Sequence, residues 1–159
     1  MLAGRSAERL AALAAELDGL GWVRADAQDP DSVLAAVHDG DVLVATVGPF
    51  ARWGDPAVRA AIAAGATYLD STGEPAFIRH VFADLDAPAR RTGAALLTAM
   101  GYDWVPGALA GSLAVREAGP GAVRVDVGCF GLGLGPGGLS PGTRESLVGA
   151  ALDLSLIHI

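Results

Sequence analysis

The chain contains no lysine; all eleven of its basic residues are arginine. That absence removes the lysine of a Walker-type phosphate loop, of a pyridoxal Schiff base and of a Tyr-x-x-x-Lys dehydrogenase pair from this stretch. Cysteine is almost missing as well. Cys129 stands alone, which excludes an intrachain disulfide and a multi-cysteine zinc site and makes a reducing cytoplasm the expected compartment. No apolar run reaches the roughly 18 residues of a membrane span. Arg5, Glu8 and Arg9 interrupt what would be the apolar core of a signal peptide. The eleven basic residues are outnumbered by 18 acids, and the net charge of −7 suits neither nucleic acid nor an anionic membrane. Aromatics make up only 6% of a chain that is 52% hydrophobic, so its core must be built from small side chains, alanine above all.

What is present is organised around one stretch. Residues 42–47 form a short apolar run without alternation, the pattern of a strand buried on both faces in a parallel sheet. Gly48-Pro49 ends it, and Asp55-Pro56 starts a helix. In open α/β sheets the ligand lies beyond the carboxyl ends of the strands, which is where Thr46 to Phe50 would sit. The same alternation of strand and helix runs through the first 118 residues. A strand tail at residues 1–4 precedes a helix capped by Ser6, with Leu10, Leu13, Ala14 and Leu17 on one stripe. Residues 22–25 read as a strand, followed by a helix from Asp29-Pro30 with Val33, Leu34 and Val37 inward. The helix from Asp55-Pro56 buries Val58, Ala61 and Ile62 and stops at Gly65. Residues 67–70 read as a strand, and the polar loop Ser71-Thr72-Gly73-Glu74 follows. A helix carrying Phe77, Ile78, Val81, Phe82 and Leu85 continues to about Arg91. Residues 94–97 form the last buried strand, and Pro106 opens a helix with Leu109, Ala110 and Leu113 inward. Alternating strands and helices predict an α/β fold with a parallel sheet.

The pattern then changes. Val123, Val125 and Val127 alternate with Arg124, Asp126 and Gly128, which predicts a strand with one wet face, as in antiparallel sheets. The expected organisation is therefore a dinucleotide-binding domain over 1–121, the start of an α+β second domain over 122–153, and a tail over 154–159. The second domain is the expected seat of any homodimer contact. The tail resembles the translation of a sequencing adapter and is set aside as non-native. A dinucleotide domain opens with a strand, a Gly-rich turn and a helix. This chain begins instead at what reads as the end of a second strand. The expectation is a Rossmann-like sheet missing its first strand and helix, a piece of a longer enzyme. Gly133-Leu134-Gly135-Pro136-Gly137-Gly138 matches Gly-x-Gly-x-x-Gly formally, but it lacks the strand–turn–helix context of a phosphate loop.

Six pieces in order give the chain a resemblance: Ala3-Gly4-Arg5-Ser6, Thr46-Val47-Gly48-Pro49-Phe50, Gly54-x-Pro56-x-Val58, Ala64-Gly65-Ala66-Thr67-Tyr68-Leu69-Asp70, Thr72-Gly73-Glu74 and Gly101-Tyr102-Asp103. With them the sequence resembles the saccharopine dehydrogenase-like oxidoreductases, in the branch of the trans-acting enoyl reductases. The resemblance implies hydride transfer between NAD(P)H and an enoyl or carbonyl group of a small-molecule or lipid-type substrate. The alternatives are a saccharopine-type amino acid dehydrogenase and a dinucleotide-binding regulator without turnover.

The cofactor residues follow. An acid after the second strand of a dinucleotide fold binds the ribose 2′-hydroxyl, whereas an arginine accommodates a 2′-phosphate. Gly4-Arg5-Ser6 occupies that place with no acid, so NADP is expected over NAD. The resemblance places Asp26 beside the adenine, with a plain strand-end acid as the alternative. It runs Thr46, Val47, Gly48, Pro49 and Phe50 past the pyrophosphate and nicotinamide ribose, where Gly48 permits close backbone approach and Pro49 stiffens the loop. Tyr102 and Glu74 are the expected proton donors or acceptors, and helix N-terminal electrostatics is the competing role for Glu74. Asp103 is expected to face the same crevice, with a cap of the helix near Pro106 as its alternative role, and His38 and His80 are expected at the surface. No metal is expected.

Overall fold

A computed structural model describes residues 1–102, 104–128 and 148 of the chain. Five short strands alternate with seven helices in that part: β1 (Leu2–Gly4), α1 (Ala7–Glu16), β2 (Trp22–Arg24), α2 (Pro30–Leu34), β3 (Val42–Ala45), α3 (Phe50–Trp53), α4 (Asp55–Ala64), β4 (Thr67–Asp70), α5 (Pro75–His80), α6 (Asp86–Thr92), β5 (Ala95–Leu97) and α7 (Val105–Ala118). A π turn, Val81–Leu85, joins α5 to α6, and a 3₁₀ turn, Gly119–Gly121, closes α7. All strand pairings are parallel, as the strand–helix alternation requires.

Local chemistry sets the boundaries. Ser6 Oγ accepts the Arg9 N–H at 3.3 Å and starts α1. Pro30, Pro56, Pro75 and Pro106 each occupy the first turn of their helix, where a missing N–H costs nothing. Gly65 and Gly93, at φ +69° and +81°, end α4 and α6 in the left-handed conformation.

The core lies on one face of β3–β4–β5. Leu43, Ala45, Tyr68 and Leu96 share that face by register, and α4, α5, the π turn and α6 cover them with Val58, Ala61, Phe77, Val81, Leu85 and Ala89. Val37, just beyond α2, joins the same cluster.

The strands form two sheets rather than one, β1–β2 and β3–β4–β5. No strand among the described residues pairs with the free edges of β1 and β3. The run at 42–47 is not buried on both faces as its composition predicts, because its second face is left uncovered. Its strand ends at Ala45, and Val42 and Val44 are 64% and 63% exposed on the face opposite the core. β5 keeps only Leu96 partly buried, and α7 has no buried residue, so Leu109 and Leu113 do not point into a core. Leu13, Leu17, Leu34 and Phe82 are exposed as well.

A second correction concerns residues 122–128, which form no strand. Alternation there produces a packing pattern instead. Val125 and Val127 lie over Gly107 and Gly111 of α7, where an added Cβ would meet their methyl groups at 3.3–3.6 Å, while Val123 is fully exposed. The expected helix over 143–151, the Gly-rich loop, Cys129, Asp103 and the tail lie outside the described residues, apart from the single helical residue Val148.

Candidate functional site

The carboxyl ends of β1, β2 and β3 meet at one cavity of about 300 Å³, lined by Gly4, Arg5, Ala25, Asp26, Ala27, Gln28, Val47, Gly48 and Trp53. Gly4 and Arg5 leave β1, Asp26 leaves β2, and Val47 and Gly48 leave β3. The cavity bridges the two sheets at the edge where an α/β fold places its ligands. Its volume lies at the low end of ligand pockets, enough for one end of a dinucleotide rather than the whole.

Five of the expected cofactor residues line this cavity: Gly4, Arg5, Asp26, Val47 and Gly48. Arg5 is exposed and stands at the rim, with no acid at the adjacent positions. Asp26 sits in a tight turn, its Oδ1 accepting the Gln28 N–H at 3.0 Å. Ser32 Oγ steadies that turn by accepting the Asp26 N–H at 2.9 Å and donating to the Asp29 carbonyl at 2.7 Å. Asp26 is thus both a strand-end acid and a wall of the cavity.

The remaining residues are placed differently. Ser6 caps α1 and does not line the cavity, and neither do Thr46 and Pro49. Phe50 is 7% exposed and turns into the core, its ring 5.8 Å from that of Phe77. Its apolar side chain is worth more in the core than beside a phosphate. Tyr102 is 91% exposed on the segment between β5 and α7. Glu74 is buried. Its Oε1 accepts the Phe50 N–H at 2.7 Å and its Oε2 the Ala51 N–H at 2.8 Å. Helix N-terminal electrostatics does describe it, but the helix is α3 rather than its own α5. These amides are among the donors that a first helical turn leaves unpaired.

Trp53 is a cavity residue that no sequence motif marks. It lines the cavity, and the Arg52 guanidinium carbon lies 4.5 Å from the centre of its ring. The four-residue α3 that presents it carries no periodic signal. His80 does more than occupy the surface expected for it, because it links two elements: Nε2 lies 2.9 Å from Asp55 on α4, and Nδ1 lies 2.7 Å from Asp84 in the π turn. Hydrogen bonds to these two carboxylates hold its pKa above the usual histidine value. Burial alone would raise Asp55, but hydrogen bonds from Arg59 and His80 outweigh it and lower its pKa.

Tyr68, Asp70 and Thr98 lie on the core-facing side of the sheet near its carboxyl edge. The Tyr68 hydroxyl, Asp70 Oδ2 and Thr98 Oγ1 are buried there without a hydrogen-bond partner among the described residues. Burial, reinforced by the charge of Asp70, pushes the Tyr68 phenol far above its ordinary pKa. Among the described residues no group of His, Cys, Asp and Glu side chains could hold a metal ion. No described helix is long and apolar enough to cross a membrane.

No family model matches the chain. Curated relatives do. The chain is 38% identical over 154 residues to a provisionally named trans-acting enoyl reductase of Mycobacterium tuberculosis, a match covering 92% of this chain and 36% of that protein. It is 39% identical over 109 residues to a trans-acting enoyl reductase of Mycobacterium ulcerans, covering 66% and 26%. The chain thus spans about a third of the length of the first of these relatives. Among solved structures it superposes on apo saccharopine dehydrogenase (L-Glu forming) of Saccharomyces cerevisiae with a TM-score of 0.59 and 21% identity, covering 73% of this chain and 25% of that one. That likeness shows the fold.

Proposed function

The chain belongs to the saccharopine dehydrogenase-like oxidoreductases, in the branch of the trans-acting enoyl reductases, and on that premise we propose that the intact protein is an NADPH-dependent reductase. The observation that carries this reading is the cavity where β1, β2 and β3 end. It gathers Arg5, Asp26 and Gly48 from three separate loops. A guanidinium after β1, with no acid beside it, offers a forked donor to a ribose 2′-phosphate. Gly4 and Gly48 present backbone without side chains, and Trp53 and Ala27 give apolar wall. The donor set fits the adenosine end of the cofactor.

Bound NADPH would supply the hydride. The chain's own residues orient the cofactor and manage the balancing proton. We assign that proton to Tyr102, on the loop after β5, whose hydroxyl is open to an incoming substrate. Glu74 is assigned instead to holding the β3 loop, because both of its carboxylate oxygens are engaged by backbone amides. The substrate is an enoyl or carbonyl compound of lipid or polyketide type, and the compartment is the cytoplasm.

We propose further that the intact protein places one more parallel strand, with its glycine turn and helix, between β1 and β3. The free edges of those strands and the exposed Val42 and Val44 support this. Residues 1–121 would then belong to the cofactor domain, and residues 122–153 would open the substrate domain and any dimer contact.

The test is turnover by the intact protein. NADPH absorbance should fall only when an enone or enoyl thioester is added, and Tyr102→Phe should lower kcat by about 10²-fold or more. Tight NADPH binding without turnover on any acceptor would instead make the protein a dinucleotide-binding regulator.

A further inference from the structure

Three loops leave the carboxyl edge of β3–β4–β5, and buried oxygens of the middle loop hold the other two. Asp70, 2% exposed at the end of β4, accepts the Thr72 and Ala99 N–H groups on Oδ1, each at 2.9 Å, while its carbonyl accepts the Met100 N–H at 2.8 Å. Thr72, fully buried, accepts the Glu74 N–H on its hydroxyl at 3.1 Å. Glu74 then reaches across to the Phe50 and Ala51 amides of the β3 loop. One relay of side-chain oxygens therefore runs from the loop that bears Tyr102 to the loop that bears Gly48.

We propose that Asp70 and Glu74 are positioning residues that fix the β3 loop and the β5 loop relative to one another, so that the cofactor wall and the proton-donor segment are held as one unit. This deepens the reductase reading and rests on it for the identity of what is positioned.

Several features favour a positioning role over ordinary capping. Glu74 precedes Pro75 and could have served its own helix, yet it makes no side-chain cap there. Its two oxygens instead take two consecutive amides of another element, a forked arrangement that fixes direction as well as distance. Those amides begin two residues after Gly48, which lines the cavity, and three before Trp53, which also lines it. On the other side Asp70 holds Ala99, which adopts the left-handed region at φ +57° without being glycine. Such a residue persists only where its surroundings over-determine it. With the first-turn amides of α3 already taken by a carboxylate, an anionic ligand must find its donors elsewhere in the crevice, and Arg5 stands at its rim.

The test uses the intact protein, Glu74→Gln, amide hydrogen exchange read by mass spectrometry, and NADPH titration followed by its fluorescence. Gln keeps the shape but offers one acceptor where two are needed. At a temperature where wild type and variant are both fully folded, exchange should quicken over residues 46–54 and also over residues 98–102. NADPH should bind about tenfold more weakly, the loss of roughly one charge-assisted bond's discrimination. Faster exchange confined to residues 70–76 would overturn the proposal. So would a loosened 46–54 segment with unchanged NADPH affinity in a protein that binds NADPH. If Glu74→Gln does not fold, Glu74→Asp, which keeps the charge but is too short to span both amides, is judged by the same criteria. A wild type that fails to bind NADPH would sink the cofactor reading, while the exchange pattern would still decide whether the two loops are coupled.

Discussion

At the scale of single residues, two positions bear the sharpest consequences. Gly54 has ordinary helical backbone angles and is needed for space, not for conformation. A Cβ there would lie 2.5 Å from Phe77 Cζ and 2.8 Å from the Phe50 carbonyl oxygen. The ring can shift but the carbonyl is fixed, so Gly54→Ala should destabilise the protein by about 1–3 kcal/mol, as overpacking does. Urea unfolding would check this, and an unchanged midpoint would show that the α3–α4 junction has slack. Arg5 is the second position. Arg5→Ala should weaken NADPH by about tenfold or more while leaving NADH within about twofold, because only NADPH carries the 2′-phosphate. Parallel titrations of the two cofactors give the ratio directly. An equal effect on both would make Arg5 a nonspecific cation. The Arg5 position could be read from sequence because a short strand and a capped helix bracket it. Phe50 could not, since a loop residue's pattern does not say whether its ring turns to the core or to the crevice.

At the scale of elements, the His80 link joins α4 to the turn between α5 and α6. His80 faces Asp55, which also pairs with Arg59, and Asp84. The folded-state pKa of His80 lies above 6.5, so its contribution to stability is complete below that value and is lost as pH rises through the folded pKa. Asp55 moves in the opposite sense. Its contribution is present above its ordinary value of 3.8 and is lost as pH falls through the lower folded pKa. The penalty of His80→Gln should therefore be largest near pH 5 to 6 and shrink toward pH 9. With His80 a third exposed, the effect should reach only about 0.5–1 kcal/mol. Unfolding curves for both proteins across that range test the sign, and a pH-independent difference would contradict the link. Helix boundaries were legible in the sequence because proline and glycine mark them. The inward faces of α7 and of β3 were not, because apolar composition announces a face that wants cover without saying whether the cover is present.

At the scale of the whole molecule, the separation of the two sheets and the exposure of Val42 and Val44 are what the proposed strand and its helix between β1 and β3 would remove. A dinucleotide sheet that lacks its central strand cannot be fully cooperative. The 159-residue chain alone should bind NADPH at least about tenfold more weakly than the intact protein. Calorimetric melting with a binding titration on the isolated chain would check this. A sharp cooperative melt with micromolar NADPH binding would show that the free edges need no partner. The α/β class, the parallel pairing and the order of elements were all legible, because a strand–helix alternation admits few other topologies. The alternating valines at 123–127 misled for the opposite reason. A period of two marks one side for contact, and here Val125 and Val127, still 39% and 47% exposed, rest against the glycines of α7 rather than a neighbouring strand.

In the proposed function the crevice where β1, β2 and β3 end holds a dinucleotide by its adenosine end. The most direct measurement is a titration of the intact protein with NADPH and with NADH, following energy transfer from tryptophan, since Trp53 lines that crevice. Saturable transfer with NADPH the tighter ligand, diminished when Trp53 is replaced by Phe while Trp22 and Trp104 remain, is the result expected. Absence of saturable transfer, or transfer unaffected by the Trp53 replacement, would place any dinucleotide outside this crevice.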